Sequence, residues 1–385
     1  MAISRCHRGK KFVKIAFVCD RVNPIYYGGY EYLIYNLSQR LSVNHKVTIF
    51  TSMDKESVYI NDVEYVKVAK RYNYVNSNGT HNLKDWIRFI INLKKNLHKL
   101  ESYDVVIVNT IPYFLLGRML KKLNIKKISI FHEAWYEYLR EFNPIIGHLL
   151  YREIRSIVNQ SNLLVAVSSR TKDSLLKNYK AKNVVTIPIG IETKSFSDKI
   201  KYKYDIIYLG RLAAIKHIND LIKAIKIVKK EFPYVKVAIG GYGDQMDNLI
   251  KLSERLELQN NIEFLGHFDD REKFNLLRAT KIFVLPSERE GFSISTLEAM
   301  FCGAVPIVAK PSYDEVFGCS DFVINNVTGL YFKRGNVDEL GEKVIYLLKN
   351  QEFLYELKEN AKKMAEKYSW ESINESYEGI LKTIG

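Results

Sequence analysis

The chain has 385 residues, more than a single hydrophobic core usually serves, so two domains are expected. Its 47% hydrophobic and 26% charged content belongs to a folded globular protein and excludes a disordered or fibrous chain. The net charge of +15 lies in one half: residues 1–198 hold 31 Lys and Arg against 16 Asp and Glu, whereas residues 199–385 hold 27 of each. An excess so placed points to a polyanionic or membrane-surface partner for the first half.

No apolar run approaches the roughly 20 residues a bilayer-spanning helix needs. The short run Phe12–Val18 follows basic residues but is broken by Lys14, and no small-residue cleavage site comes after it. It reads as a first strand rather than a signal peptide, and a cytoplasmic protein is expected. Cys6, Cys19, Cys302 and Cys319 lack metal-ligand spacing and are too sparse for a disulfide framework.

In chain order, strands are predicted at Val13–Val18, Lys46–Phe50, Val105–Asn109, Ile128–Phe131, Leu163–Val167 and Val184–Pro188, with helices between them. The segment Tyr30–Leu41 sets Leu33, Leu37 and Leu41 on one helical face. A lysine- and tyrosine-rich linker, Ser197–Lys203, precedes a second series. Its strands are predicted at Asp205–Leu209, Val235–Ile239, Ile262–Leu265, Ile282–Leu285, Val305–Ala309 and Gly329–Phe332. The helix His217–Lys230 buries Ile218, Leu221, Ile222, Ile225 and Val228, and Trp370–Ile384 forms the last helix. Alternating strands and helices, twice over, give an α/β chain of two doubly wound domains that face each other, 1–197 and 198–369.

Four stretches carry chemistry. In Glu290-Gly-Phe-Ser-Ile-Ser-Thr-Leu-Glu298 a helix should start near Ser293 and stop at Gly303. Glu290 then stands on the loop beyond a strand's C-terminal end, where open α/β sheets bind ligands. The N–H groups of Phe292, Ser293 and Ile294 open a helix N-terminus, which favours phosphate, and Glu298 lies about one turn in, within reach of a ribose. The competing structural reading makes Ser295 and Glu298 a capping box and Glu290 a solvated loop acid. Second, Asp205–Leu209 runs into Gly210-Arg211 with Lys216 after it, a guanidinium fork and an ammonium suited to a diphosphate. Third, Gly28-Gly29-Tyr30-Glu31 opens a helix after the first strand; Glu31 reads as a first-turn acid favoured by the helix dipole. Fourth, His132 and Glu133 follow strand Ile128–Phe131.

Taken with Ala166-Val167-Ser168, Ile187-Pro-Ile-Gly190, Gly240-Gly-Tyr-Gly243, Phe264-Leu-Gly266, Pro286-Ser287 and Thr328-Gly329-Leu330, these stretches resemble glycosyltransferase family 4, of the GT-B fold. The resemblance runs from about residue 13 to about residue 375. It implies two Rossmann-like domains about a central cleft, the first binding an acceptor and the second the donor. It also implies retaining transfer from a nucleoside diphosphate sugar, with no cofactor and no metal. Carried over, Arg211 and Lys216 hold the diphosphate, with the backbone at Phe292, Ser293 and Ile294. Glu298 holds the ribose, Glu290 the donor sugar, Gly28 and Gly29 lie by the donor phosphates, and His132 contacts the sugar near the reacting bond. The resemblance also has the helix at 370–385 return to the first domain.

The chain departs from the family pattern in places. Pro188-Ile-Gly-Ile-Glu192 replaces Pro-Asn-Gly-Val-Asp, His217 stands where glycine often follows the phosphate lysine, and Pro311-Ser-Tyr313 replaces a glycine pair before Glu315. These departures bear on the choice of donor sugar. No Asp-x-Asp occurs, so the metal-bound diphosphate site of the other main glycosyltransferase fold is not expected.

In the basic half, Tyr113–Lys127 joins Tyr113, Phe114, Leu115, Leu116, Met119 and Leu120 to Arg118, Lys121, Lys122, Lys126 and Lys127. Such a basic amphipathic helix can lie on an anionic membrane, and the aromatic stretch Trp135–Phe142 could border an acceptor's apolar part. The expected partners are a nucleotide sugar, a glycan or lipid-linked acceptor, and the cytosolic face of an anionic membrane, with the chain serving polysaccharide, glycolipid or protein-glycan assembly. The competing reading of that helix is a core-packed one with a solvated basic face. A nicotinamide oxidoreductase would need Gly-x-Gly-x-x-Gly, which Gly241-Tyr-Gly243 does not complete, and no nucleic-acid-binding motif appears. A GT-B relative that hydrolyses or phosphorolyses a glycan stands closer.

Overall fold

The computed structural model describes residues 12–22, 28–70, 83–110, 115–134, 136, 144–193, 201–310 and 317–384. Cys6, Pro24, Tyr113, Phe114, Trp135, residues 137–142, the Pro311–Tyr313 replacement with Glu315, and part of the expected linker lie outside them.

The chain divides into two compact units, residues 1–188 with 373–385, and residues 189–372. The first unit holds strands β1 (Lys14–Val18), β2 (Lys46–Ser52), β3 (Ser57–Ile60), β4 (Val63–Ala69), β5 (Val105–Asn109), β6 (Lys126–Phe131), β7 (Leu163–Ala166) and β8 (Val184–Thr186). Its helices are α1 (Gly29–Leu41), α2 (Leu83–Lys95), α3 (Leu97–Leu100), α4 (Leu116–Leu120), α5 (Pro144–Gln160) and α6 (Ser169–Tyr179). The strands form one sheet in the order β3-β4-β2-β1-β5-β6-β7-β8. All pairs are parallel except β3 with β4. Parallel strands covered on both faces read as unbroken apolar runs, and β5, Val-Val-Ile-Val-Asn, is buried at every position. The β3/β4 hairpin is absent from the expected strands. Its signal was weak because β3 alternates exposed and half-buried residues at the sheet edge and turns at Asn61, which takes a positive φ of 52°.

The second unit holds β9 (Tyr204–Leu209), β10 (Val237–Gly240), β11 (Ile262–Gly266), β12 (Thr280–Leu285), β13 (Val305–Lys310) and β14 (Leu330–Lys333). Helices α7 (Ile218–Glu231), α8 (Met246–Arg255), α9 (Asp270–Arg278), α10 (Ile294–Cys302), α11 (Val337–Lys349) and α12 (Gln351–Glu366) accompany them, and α13 (Trp370–Ile384) ends the chain. Its sheet is wholly parallel in the order β11-β10-β9-β12-β13-β14. The connections run outward in one direction from β9 and in the other from β12, so the strand order reverses between these two. A crevice opens above the C-terminal ends of the strands at such a reversal.

The division falls at Pro188/Ile189, ahead of the expected boundary at 197/198. Residues 189–191 belong with the second unit because Ile189 and Ile191 are buried there. Ile191 bridges Ser369, and a Cβ at Gly190 would stand 2.6 Å from the Trp370 ring. From Ile373 onward α13 belongs to the first unit. There Glu378 accepts from Asn44 Nδ2 at 3.0 Å and lies 3.2 Å from His45 Nε2, while His45 Nδ1 accepts from the Val13 N–H at 3.3 Å.

The expected basic amphipathic helix over Tyr113–Lys127 does not form as such. Only Leu116–Leu120 is helical among its described residues, and Lys126 and Lys127 belong to β6. Leu116, Met119, Leu120 and Leu123 are buried in the core beside Ile154 and Ile157, so its apolar side serves the fold.

Candidate active site

Strands β9 and β12 end side by side at the reversal point, and each delivers a charged loop there. After β9 come Gly210 and Arg211, then a single 3-10 turn, Ala214–Lys216. Two backbone approaches fix this loop. Gly241, after β10, has a φ of +134°, and a Cβ there would lie 1.8 Å from the Gly210 carbonyl oxygen. Only glycine allows both that φ and that approach. The Glu288 N–H then donates to the Ile215 carbonyl at 2.9 Å, tying the loop after β9 to the loop after β12.

The loop after β12 is held from its other side as well. Glu290 bridges Phe317, its carbonyl accepts from the Gly318 N–H at 2.8 Å, and Arg334 Nη1 donates to the Glu288 carbonyl at 3.2 Å. On this frame Lys216 Nζ donates to Glu290 Oε1 at 2.7 Å, so two expected site residues 74 positions apart meet directly. Arg211 and Glu290 both act on one neighbour, Tyr208. The buried Tyr208 hydroxyl donates to the Arg211 carbonyl at 3.0 Å; burial, then Glu290, push it above the ordinary phenol range, and Arg211 opposes them.

His217 occupies a left-handed backbone position, φ 49°, which explains why glycine suits it. Its Nε2 lies 3.3 Å from Glu288 Oε2 and its Nδ1 3.7 Å from Asp220 Oδ2. The imidazole thus spans the acid beside Glu290 and the first turn of α7.

Helix α10 begins beside Glu290. Ser293 is its N-cap and makes no side-chain bond to the first-turn N–H groups. Its hydroxyl pairs with Thr296 Oγ1 at 2.8 Å. The capping box of Ser295 with Glu298 does not form, because the cap lies two residues earlier. The Phe292 ring packs at 5.4 Å from Phe322, which leaves its backbone for the site. Ile294 is the first helical residue, and Gly303 ends the helix with a φ of +87°. Glu298 is only 3% exposed, and its Oε1 accepts from Lys273 Nζ at 2.7 Å. Lys273 was not among the expected site residues. It sits 25 positions away on another helix, and no sequence spacing ties it to Glu298.

The first unit has its own polar cluster. Gly28 caps α1 and Gly29 begins it, both exposed. Glu31 is the first-turn acid of α1, as expected, and it is buried as well. It is 2% exposed, and Arg21 Nη2 donates to its Oε1 at 2.5 Å and to the Tyr30 hydroxyl at 2.8 Å. Burial raises its carboxyl to about 7 despite Arg21. Asp20 and Arg21 stand just beyond the end of β1, after Cys19, much as Arg211 stands beyond β9, and that signal could have found them. His132 follows β6 and is buried edge-on to the Tyr30 ring at a centroid distance of 6.0 Å. Burial lowers its imidazole to about 3, so it is neutral at pH 7, and among the described residues its Nε2 has no hydrogen-bond partner. His132 and the start of α1, which carries Gly28 and Gly29, therefore lie together, and Arg211, Lys216, Glu290 and the α10 N-terminus form a second group.

Residues 27–195 match the family model described as Glycosyltransferase Family 4, and residues 191–364 the model for glycosyl transferases group 1. An uncharacterised glycosyltransferase of Methanocaldococcus jannaschii is 28% identical over 324 residues, covering 79% of each chain. The alpha-monoglucosyldiacylglycerol synthase of Acholeplasma laidlawii is 22% identical, over 90% of this chain and 91% of its own. Among solved structures, Anabaena HepE in complex with UDP and glucose superposes with a TM-score of 0.74 at 18% identity, covering 96% of this chain and 100% of that one.

Proposed function

The chain belongs to the family 4 glycosyltransferases of the GT-B fold, and from that premise we propose that it moves a hexosyl or related sugar from a nucleoside diphosphate sugar to a glycan or lipid-linked acceptor, with retention at the anomeric carbon. One observation carries the reading: Lys216 and Glu290, brought together at 2.7 Å by the loops after β9 and β12, stand where the strand order reverses, beside the uncapped start of α10.

In this reading Arg211 and Lys216 meet the diphosphate, and the N–H groups at Phe292, Ser293 and Ile294 add the partial positive charge of a helix start. Charge builds on the phosphate as the sugar–phosphate bond breaks, and fixed cations stabilise that state more than the bound ground state. No metal or other cofactor is invoked for this work. Glu290 holds the donor sugar, and its pairing with Lys216 keeps the ammonium in place before the phosphate arrives. Glu298 takes the ribose hydroxyls. The glycolipid product of the Acholeplasma relative supports a lipid-linked acceptor, and the UDP in the Anabaena protein supports a nucleotide donor.

Calorimetric titration with UDP, GDP and ADP, followed by turnover with the matching sugar nucleotides, tests the reading. Arg211→Ala and Lys216→Ala should each weaken diphosphate binding by about tenfold or more, the scale of a charge-assisted hydrogen bond. Glu290→Ala should lower kcat by roughly a hundredfold while thermal stability changes little. Full activity in a folded Arg211→Ala or Glu290→Ala protein defeats the assignment. Proton NMR of the product's anomeric centre decides retention.

A further inference from the structure

Lys273 lies in the first turn and a half of α9, behind an N-cap box in which Asp269 and Glu272 bond each other's backbone. A helix start favours anions, so a lysine there gains nothing from the helix dipole. It is held instead by side chains of α10 and of its own helix. Nζ donates to Glu298 Oε1 at 2.7 Å, lies 3.0 Å from Asp270 Oδ1 and stands 5.1 Å over the Phe274 ring. Its side chain is 15% exposed and that of Glu298 is 3% exposed.

We propose that Lys273 is a positioning residue of the donor site: its ion pair keeps the buried Glu298 carboxylate charged and fixed, with Oε1 occupied and Oε2 left to accept from the ribose hydroxyls. The inference rests on the donor-site reading of Glu298 given above. A carboxylate out of water takes up a proton unless a cation holds it ionised, and a protonated acid accepts from a diol less well than a carboxylate. Burial raises Glu298 above its ordinary value, and Lys273 is the cation that opposes this. For Lys273 burial acts to lower the ammonium, but Glu298 and Asp270 outweigh it and hold it charged. The groups acting around Glu298 are Lys273 and Asp270 from α9, and Cys302 on its own helix, a thiol also influenced by Arg278 of α9 and Lys362 of α12.

A purely structural tie between α9 and α10 would have the same geometry, and the pH dependence of ribose recognition separates the two. The full chain would be titrated with UDP and GDP, and with their 2′,3′-dideoxy analogues, from about pH 5.5 to about pH 9. Wild type should prefer the ribonucleotide by about tenfold, the value of hydrogen bonds to a charged acceptor. In Lys273→Met that preference should vanish near neutrality and return at alkaline pH, its midpoint moved up by about one unit or more. Lys273→Arg should restore it, and Glu298→Gln should lack it at every pH. Lys273→Met/Glu298→Gln buries no lone charge, so it should fold even where Lys273→Met does not, and should match Glu298→Gln alone. A Lys273→Met protein with wild-type preference and midpoint overturns the inference. So does one that weakens both nucleotides equally at all pH values, or a double variant whose nucleotide affinities differ from those of Glu298→Gln alone. A Glu298→Gln protein that keeps its ribose preference, or a wild type that binds neither nucleotide, overturns the donor-site reading first and the inference with it.

Discussion

His132 and Glu31 are buried on neighbouring elements of the first unit, and their protonation pulls stability in opposite directions. Burial lowers His132 from 6.5 to about 3, so the fold excludes the proton that the unfolded chain binds below 6.5. Stability is therefore lost as pH falls through that window, by about 2 kcal/mol at pH 5. Burial raises Glu31 from 4.5 to about 7, with Arg21 only partly opposing. The fold keeps a proton that the unfolded chain releases, so the stability this gives is present below 4.5 and lost as pH rises to about 7, by roughly 3 kcal/mol. Urea unfolding at several pH values should show both effects. Relative to wild type, His132→Gln should gain stability on acidification from pH 7 to pH 5, and Glu31→Gln should gain it as pH rises from 5 to 8. Equal pH profiles in wild type and both variants would mean that neither group is as enclosed as the geometry shows. The position of His132 beyond a strand was legible from the apolar run before it. The burial of Glu31 was not, because the contact that encloses it comes from Arg21, ten residues earlier in the chain.

Among the elements, those that carry the Lys216–Glu290 pair were legible because parallel strands write themselves as apolar runs and each is followed at once by its charged loop. Leu209 leads to Arg211 and Leu285 to Glu290, and the helix starting after Ser293 and stopping at Gly303 fell where its turn residues put it. What stayed hidden is lateral. Sequence order does not reveal that β9 and β12 are neighbours, that Glu288 bonds Ile215 across them, or that Lys273 of α9 reaches Glu298 of α10. The same holds for the glycines after β10. Gly240-Gly-Tyr-Gly243 reads as an incomplete dinucleotide motif, yet Gly241 serves the loop after β9, on which its backbone rests. Gly241→Ala would drive a Cβ into the Gly210 carbonyl and strain a left-handed backbone. We expect a loss of about 2–4 kcal/mol in unfolding free energy, and weaker diphosphate binding even where the protein still folds, because the displaced element carries Arg211. Gly210→Ala should be milder, since the nearest atoms its Cβ meets belong to the Tyr208 side chain, the hydroxyl at 2.9 Å, and not to backbone. Equal nucleotide binding by wild type and Gly241→Ala would separate that glycine from the site.

Across the whole molecule the charge is concentrated in one half, and the structure narrows what it can mean. The +15 excess of residues 1–198 was read partly through a basic amphipathic helix at Tyr113–Lys127. Leu116, Met119, Leu120 and Leu123, described apolar side chains of that stretch, are in the core, so they offer no hydrophobic face to a bilayer. Its basic residues are still at the surface: Lys121, Lys122 and Lys126 are exposed or nearly so, and Arg118 is 76% exposed. No helix among the described residues is long and apolar enough to cross a membrane. An attachment through this stretch would therefore be electrostatic, each surface cation near an anionic leaflet contributing about 1 kcal/mol and the sum falling within a Debye length. Co-flotation with vesicles rich in phosphatidylglycerol should be strong at about 50 mM salt and lost by about 500 mM, where the Debye length is only a few ångström. Neutral phosphatidylcholine vesicles should retain nothing at either salt. Binding that survives high salt would instead require an apolar contact, and the exposed Ile145, Ile146 and Leu149 at the start of α5 would be the place to substitute first. An absence of binding at low salt would remove the membrane from the reading and leave an acidic glycan as the polyanion that the first half is charged to meet.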